Sequence, residues 1–313
     1  MPVFIARRLL SGAVMLVVIS VVAFTLLYLG GGDIARRILG QSATAETVAA
    51  KTAELGLDRP LVVQFGDWFA NALTGDLGRS WFSSQFVAVS METRLPVTLS
   101  LVIGSTVIAA ILSVLLGVLA ARRGGWIDGL VQFLAVVGFA VPGFLIALGL
   151  VLLFAINLGW FRATGYTPIG SSFTGWLASI ALPVVALATG AIATIAQQIR
   201  GSVLDALDRD YVRTLRSRGL SSNRVVYRHV LRNAAGPALA VLAVQFIGML
   251  GGAVIVEQVF ALPGIGQLAV QATTQGDIPV VMGIVIVTAI IVVIVNLAID
   301  LAQAALNPKV RLS

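Results

Sequence analysis

Cysteine is absent from the 313 residues. That excludes disulfides and thiolate metal centres, and it leaves the redox compartment unspecified. Charge is sparse: 11% of residues are Asp, Glu, Lys or Arg, where a soluble domain carries roughly 25%. Hydrophobic residues make up 58% and mean hydropathy is +0.99. An ordinary globular domain and a disordered chain are both excluded. Alternating ten-residue segments of the outer-membrane barrel type are missing as well, because the apolar runs are long and continuous. The chain has a single histidine, His229, and its only lysines are Lys51 and Lys309. They follow Ala50 and Pro308, so the Gly-Lys pair of a phosphate-binding P-loop cannot form. Any ATP-driven process here must draw its energy from another polypeptide.

What is present is a set of apolar runs long enough to cross a bilayer, which needs about 20 residues at about 1.5 Å each. Six qualify, near Leu9–Leu29, Val97–Ala121, Val131–Asn157, Trp176–Gln197, Ala235–Val256 and Val280–Ala305. The expected fold is an all-α polytopic membrane protein. The first run exceeds a signal-peptide core and no A-x-A-like cleavage site follows it, so it reads as an uncleaved anchor. No acid or base falls mid-span, since Glu257 lies at the end of the fifth run and Asp300 near the end of the sixth. Proton- and sodium-coupled transporters bury such groups. An intramembrane protease needs a nucleophile with a base, and the single histidine lies between spans. The same histidine rules out a histidine-rich metal site. A passive channel or membrane scaffold stays open at this point.

The net charge of +7 reports topology rather than nucleic acid, because the basic residues cluster between spans. Arg7, Arg8, Arg122, Arg123, eight arginines from Arg200 to Arg232, Lys309 and Arg311 fall on one side. Arg36, Arg37, Lys51, Arg59, Arg79, Arg94 and Arg162 fall on the other. The richer side is expected to be cytoplasmic, which puts both termini there. Segments follow: a first span over 1–30, an extracytoplasmic subdomain over 31–94, a five-helix membrane domain over 95–306 and a cytoplasmic tail over 307–313. Within the subdomain, Thr44 is placed to cap a helix that Gly56 stops. Asp58-Arg59-Pro60 and Gly75-Asp76-Leu77-Gly78 mark turns. Such a subdomain either covers helix ends or docks a partner. Pro142 and Pro183 fall inside spans and are expected to kink them. Gly248 and Gly252 form a GxxxG pair.

The 200–234 loop is the most informative stretch. A helix is expected to run on from the fourth span to Arg218, with Leu204, Leu207, Tyr211 and Leu215 as its apolar stripe. Gly219 sits where a helix stops in the left-handed conformation. Ser221 or Ser222 then caps a short second helix whose Arg224, Arg228 and Arg232 share a face, with Val226 and Val230 on another. Such an elbow can rest its arginines on anionic lipid head groups or dock into a cytoplasmic partner.

Several motifs carry a resemblance. Asp210-Tyr211-Val212-Arg213-Thr214, Arg218-Gly219-Leu220-Ser221 and Arg228-His229-Val230-Leu231-Arg232-Asn233-Ala234 resemble the EAA loop of binding-protein-dependent ABC importers. More narrowly, the chain is similar to the B-type permease of the dipeptide, oligopeptide and nickel importers. Gly56-Leu57-Asp58-Arg59-Pro60, Gly75-Asp76-Leu77-Gly78-Arg79-Ser80, Leu95-Pro96, Gly251-Gly252-Ala253-Val254-Ile255-Val256-Glu257, Pro263-Gly264-Ile265-Gly266 and Asp277-Ile278-Pro279-Val280-Val281 agree with that pattern in order and spacing. Two positions depart from it. Leu215 stands where the peptide branch has alanine, and Gly31-Gly32-Asp33 stands where the family tends to have Pro-Gly-Asp.

The resemblance implies type I importer architecture with six spans in a prokaryotic inner membrane, and a half-channel for peptides, or alternatively for nickel or another small solute. It implies a second, C-type permease, two ATPase subunits holding ATP and Mg, an extracytoplasmic substrate-binding protein and surrounding membrane lipid. No catalytic residue, cofactor or metal is implied in this chain. An ATPase-coupling role falls on Arg213, Thr214, Gly219, Ser221, Ser222 and Asn223, and on Val226, Tyr227, Arg228, His229 and Arg232. An outer-gate or docking role falls on Asp58, Arg59, Asp76, Arg79, Glu257, Pro263, Gly264 and Gly266.

Overall fold

The computed structural model describes residues 2–30 and 34–306. Gly31-Gly32-Asp33, Lys309, Arg311 and the 307–313 tail lie outside the described residues. The chain forms helices α1 (Pro2–Gly30), α2 (Ile34–Leu39), α3 (Ala45–Glu54), α4 (Leu61–Leu73), α5 (Val87–Arg123) and α6 (Gly125–Ala140). Next come α7 (Gly143–Leu150), which continues as a π-helical stretch Val151–Asn157, then α8 (Phe173–Leu207), α9 (Asp210–Ser217) and α10 (Ser222–Val225). A π-helical turn Val226–Val230 leads into α11 (Leu231–Val259), and α12 (Ile265–Gln275) and α13 (Ile278–Leu306) follow. Among the described residues the only β pairing is an isolated bridge between Arg79 and Phe86.

Among the described residues, five helical stretches are long and apolar enough to cross a membrane: Ala6–Leu29, Val87–Arg123, Phe173–Leu207, Ser222–Val259 and Ile278–Ala305. The remaining run, third along the chain, is a pair, α6 and α7 with its π extension, bent by 99°. Pro142 therefore breaks its span. It lacks an N–H and follows an extended Val141 at φ −80°, ψ 120°. α8 runs on through Pro183, which is buried. α5 begins ten residues before Val97 and takes in Pro96, because 87–95 holds no breaker and Pro96 is exposed.

The chain divides into two compact units. One comprises Thr98–Leu262 and α13 from Ile294 onward; α8 lies at its centre. Half of the buried residues of α8 are alanine or serine, including Ala186, Ala188, Ala191, Ala193 and Ala196. Small residues let helices approach closely without a water-driven hydrophobic term. A Cβ on Gly117 would lie 2.7 Å from the Ala196 carbonyl, and one on Gly104 3.1 Å from Val184. Ser105 and Ser113 donate to the Val184 and Ile192 carbonyls at 3.1 Å. The close approach is thus made by Gly104 and Gly117. Of the expected GxxxG pair, Gly252 meets Leu187 while Gly248 meets nothing within 4 Å.

The other unit comprises Pro2–Val97 and Pro263–Val293. Phe24, Ile34, Ile278 and Met282 form one core with Phe65, Trp68 and Trp81 packed on it. Val87, Met91, Ile265, Ala272, Val280 and Ile284 form another. Local signals were followed closely here. Thr44 accepts the Thr47 N–H at 3.3 Å as the α3 cap, and Gly56 follows α3 at φ +67°.

Candidate functional site

The corner after α9 is a complete helix stop. The Leu220 N–H donates to the Leu215 carbonyl at 3.2 Å and the Gly219 N–H to that of Arg216 at 2.9 Å. This is the Schellman pattern, and Gly219 supplies its left-handed residue at φ +80°. Ser221 is extended and precedes α10, but its side chain makes no capping bond. Val212, Val225, Val226 and Val230 are buried beneath the corner. Val226 therefore packs inward and is not part of the presented face. Arg213, Thr214, Ser221, Ser222, Asn223, Tyr227 and Arg228 are exposed, and His229 is half-buried. Arg213 lies 3.9 Å from Asp210, with both side chains largely in solvent, so the pair contributes little.

Two expectations about this loop are corrected. The helix from the fourth span does not reach Arg218. It ends at Leu207, and Arg209 is extended before α9 starts at Asp210. Aspartates at 205, 208 and 210 favour caps and turns over helix interior. The break rotates the stripe, so Val203, Ala206 and Val212 are buried while Leu204, Leu207, Tyr211 and Leu215 are only half-buried. Nor is the second helix separate. No breaker lies between Asn223 and Ala235, so α10, the π turn and α11 form one stretch, Ser222–Val259. The π turn, with its i→i+5 bonding, contains Arg228, and Arg224, Arg228 and Arg232 are all exposed.

The helices around the corner are joined by pairings that no local sequence pattern reveals. Arg122, at the end of α5, donates to Asn223 Oδ1 at 2.5 Å and to the Tyr227 hydroxyl at 3.3 Å. Its guanidinium also lies 5.5 Å from the Tyr227 ring centroid. Asn233 Nδ2 donates to the Tyr211 hydroxyl at 3.0 Å. Arg200 grips Asp128 with a fork: Nη2 donates to Oδ2 at 2.5 Å and Nε to Oδ1. Gln132 adds a bond to Asp128 Oδ2 at 3.1 Å. Asp128 is the one acid between Glu92 and Asp205. That isolation was the available signal for a specific partner.

Glu257 is fully buried and accepts from Thr98 Oγ1 at 2.5 Å. It presents no surface for docking. Beyond it, Ala261 holds φ +48° and the Phe260 carbonyl accepts the Gly165 N–H at 3.1 Å. In the other unit the remaining candidates are local. Arg59 pairs with Asp67 at 2.7 Å rather than with exposed Asp58. Asp76 Oδ1 accepts the Gly78 N–H at 2.8 Å, and Arg79 stacks 3.8 Å over Phe86. Pro263 is exposed, Gly264 precedes α12 and Gly266 is buried. The stronger device is Asp277, buried and accepting Ser80 Oγ at 2.5 Å and the Trp81 N–H at 3.2 Å. Ser80 Oγ in turn accepts the Phe82 and Ser83 amides. Among the described residues no group of three or more His, Cys, Asp or Glu is placed to hold a metal ion.

Residues 113–312 match the family described as binding-protein-dependent transport system inner membrane component. The chain belongs to this family. Residues 1–102 match the model for the N-terminal part of the membrane component of binding-protein-dependent transport systems. A protein of Brucella abortus strain 2308, named as a peptide transport system permease, is 40% identical over 99% of both chains. One of Sinorhizobium fredii, named as a peptide ABC transporter permease, is 38% identical over 99% of this chain and 100% of its own. The glutathione transport system permease GsiC of Escherichia coli O6:H1 is 36% identical over 98% of each. Among solved structures, a chain of the inward-facing MetNI methionine ABC transporter superposes with a TM-score of 0.54 at 18% identity. It covers 69% of this chain and 96% of its own length, and it establishes the shared helical fold. The transport component is thus a multi-pass membrane protein of a transport family, and the Gly219 corner lies within the part that the family match covers.

Proposed function

We propose that this chain is the permease subunit of an ATP-driven importer of peptides, forming half of the translocation pathway. The reading rests above all on the Gly219 corner: a valine-backed elbow that presents Arg213, Arg228 and neighbouring polar groups. An elbow fixed to α5 through Arg122 can pass a push from below into the spans, which is what a subunit without its own P-loop requires. The peptide substrate is supported by full-length relatives named as peptide and glutathione permeases. The elbow faces the cytoplasm and docks two ATPase subunits that hold ATP and Mg. A C-type permease supplies the other half of the pathway, and a binding protein delivers peptide to the extracytoplasmic side, where residues 31–94 lie.

The test is reconstitution. The five-component complex in vesicles should take up a labelled tripeptide only with ATP, and this chain alone should hydrolyse none. Uptake without the ATPases, or hydrolysis by the purified chain alone, would overturn the reading.

A further inference from the structure

The break between α6 and α7 opens onto a groove. With Val141 extended and Pro142 lacking an N–H, the helical ladder stops, and both Leu145 and Ile146 turn their amides to the Pro142 carbonyl. Non-helical backbone at membrane depth is tolerated only inside protein or along a cavity. A cavity of about 430 Å³ lies against the break, with α8 and α11 as its other walls. That is within the roughly 300–1,000 Å³ of small-molecule sites. No charged residue lines it, and its polar side chains are Thr194 and Gln245. The Thr194 hydroxyl is spent on the Gly190 carbonyl at 3.0 Å, which leaves its oxygen able to accept. The half-buried Gln245 amide makes no hydrogen bond among the described residues.

Two glycines make the groove what it is. A Cβ on Gly143 or on Gly248 would meet nothing within 4 Å, and neither has a backbone conformation that demands glycine. Glycine is the poorest non-proline helix former. Neither local conformation nor packing within this chain accounts for it at Gly248. Both positions line the cavity, and the missing side chains keep it open.

Resting on the importer reading above, we propose that this groove carries the main chain of the peptide in transit, with Gln245 as the group that meets it. A peptide leaving water must have its amides and carbonyls satisfied. A side-chain amide both donates and accepts, matching a peptide bond whatever side chains flank it. Walls without charge hold neither terminus tightly, and passage needs binding weak enough to release.

The experiment uses the complete complex in vesicles, with labelled trialanine, trilysine and triglutamate, and scores subunit co-purification in parallel. Gly248→Leu should lower trialanine uptake at least tenfold while all subunits still co-purify. Gln245→Glu should change trilysine uptake relative to triglutamate by at least threefold. Unchanged uptake in Gly248→Leu, or equal effects on the two charged peptides, overturns the proposal. Loss of the second permease from Gly248→Leu complexes assigns the face to a subunit contact and overturns it too. A wild-type complex that imports no tripeptide sinks the importer reading itself, whereas wild-type uptake with indifferent variants sinks only this one.

Discussion

Gly219 and Asp277 are both single residues on which a local structure depends, but they act through different physics. At Gly219 the cost of substitution is backbone strain alone, because a Cβ there meets nothing within 4 Å. A side chain held at φ +80° costs about 1–2 kcal/mol, and a β-branched one more. We expect Gly219→Val to leave insertion intact while reducing ATPase co-purification and uptake together, and Gly219→Asn to be milder because asparagine tolerates that region. Normal docking and uptake in Gly219→Val would remove the corner from the mechanism. At Asp277 the cost is lost hydrogen bonding. Asp277→Ala leaves the buried Ser80 hydroxyl and the Trp81 amide without their acceptor, about 1–3 kcal/mol for such unsatisfied groups. The thermal midpoint in detergent should fall, and limited proteolysis should cut within residues 78–86. An unchanged cleavage pattern would show that the loop is held by other contacts.

Between helices, glycine has two opposite uses that no local pattern separates. A Cβ on Gly117 would lie 2.7 Å from the Ala196 carbonyl, a backbone atom that cannot swing away, while one on Gly248 would meet open space. Gly117→Ala should therefore destabilise the α5–α8 contact by about 1–3 kcal/mol as overpacking. Gly248→Ala should be neutral or slightly stabilising through helix propensity. Thermal unfolding of the two purified variants decides this, and equal midpoints would refute the distinction. The same contrast explains what the sequence made legible. The Thr44 cap, the Gly56 stop, the turn at Gly75–Gly78 and the Gly219 corner are local, and each was readable from a few adjacent residues. The grips of Arg200 on Asp128, Arg122 on Asn223 and Ser80 on Asp277 join residues 72, 101 and 197 positions apart. Composition carries no record of such distances. The break after Asp208 and the π turn at Val226–Val230 were missed for a related reason: periodicity presumes an uninterrupted helix, and both features interrupt or stretch it.

At the scale of the molecule, hydrogen bonds sort the helix ends into two groups, independently of the charge counts that predict which side is cytoplasmic. Arg122 on Asn223 and Tyr227, and Arg200 on Asp128, gather the end of α5, the start of α6, the end of α8 and the elbow into one group. Thr98 on Glu257, Trp176 on Ser100, and Gly165 on the Phe260 carbonyl gather a second group. Both groups belong to the same compact unit. They sit toward opposite ends of α5, separated by about 24 residues of helix, or about 36 Å at 1.5 Å per residue. That exceeds the roughly 30 Å hydrocarbon layer, so the two groups are expected on opposite sides of the membrane, whichever side is which. The arginine bias predicts the elbow on the cytoplasmic side. A reporter active only outside the cytoplasm should be on when fused near Gly170 or Thr44 and off near Asp208. Reversal of all three signals would refute the orientation while sparing the grouping. The same signal at Gly170 and Asp208 would refute the grouping itself.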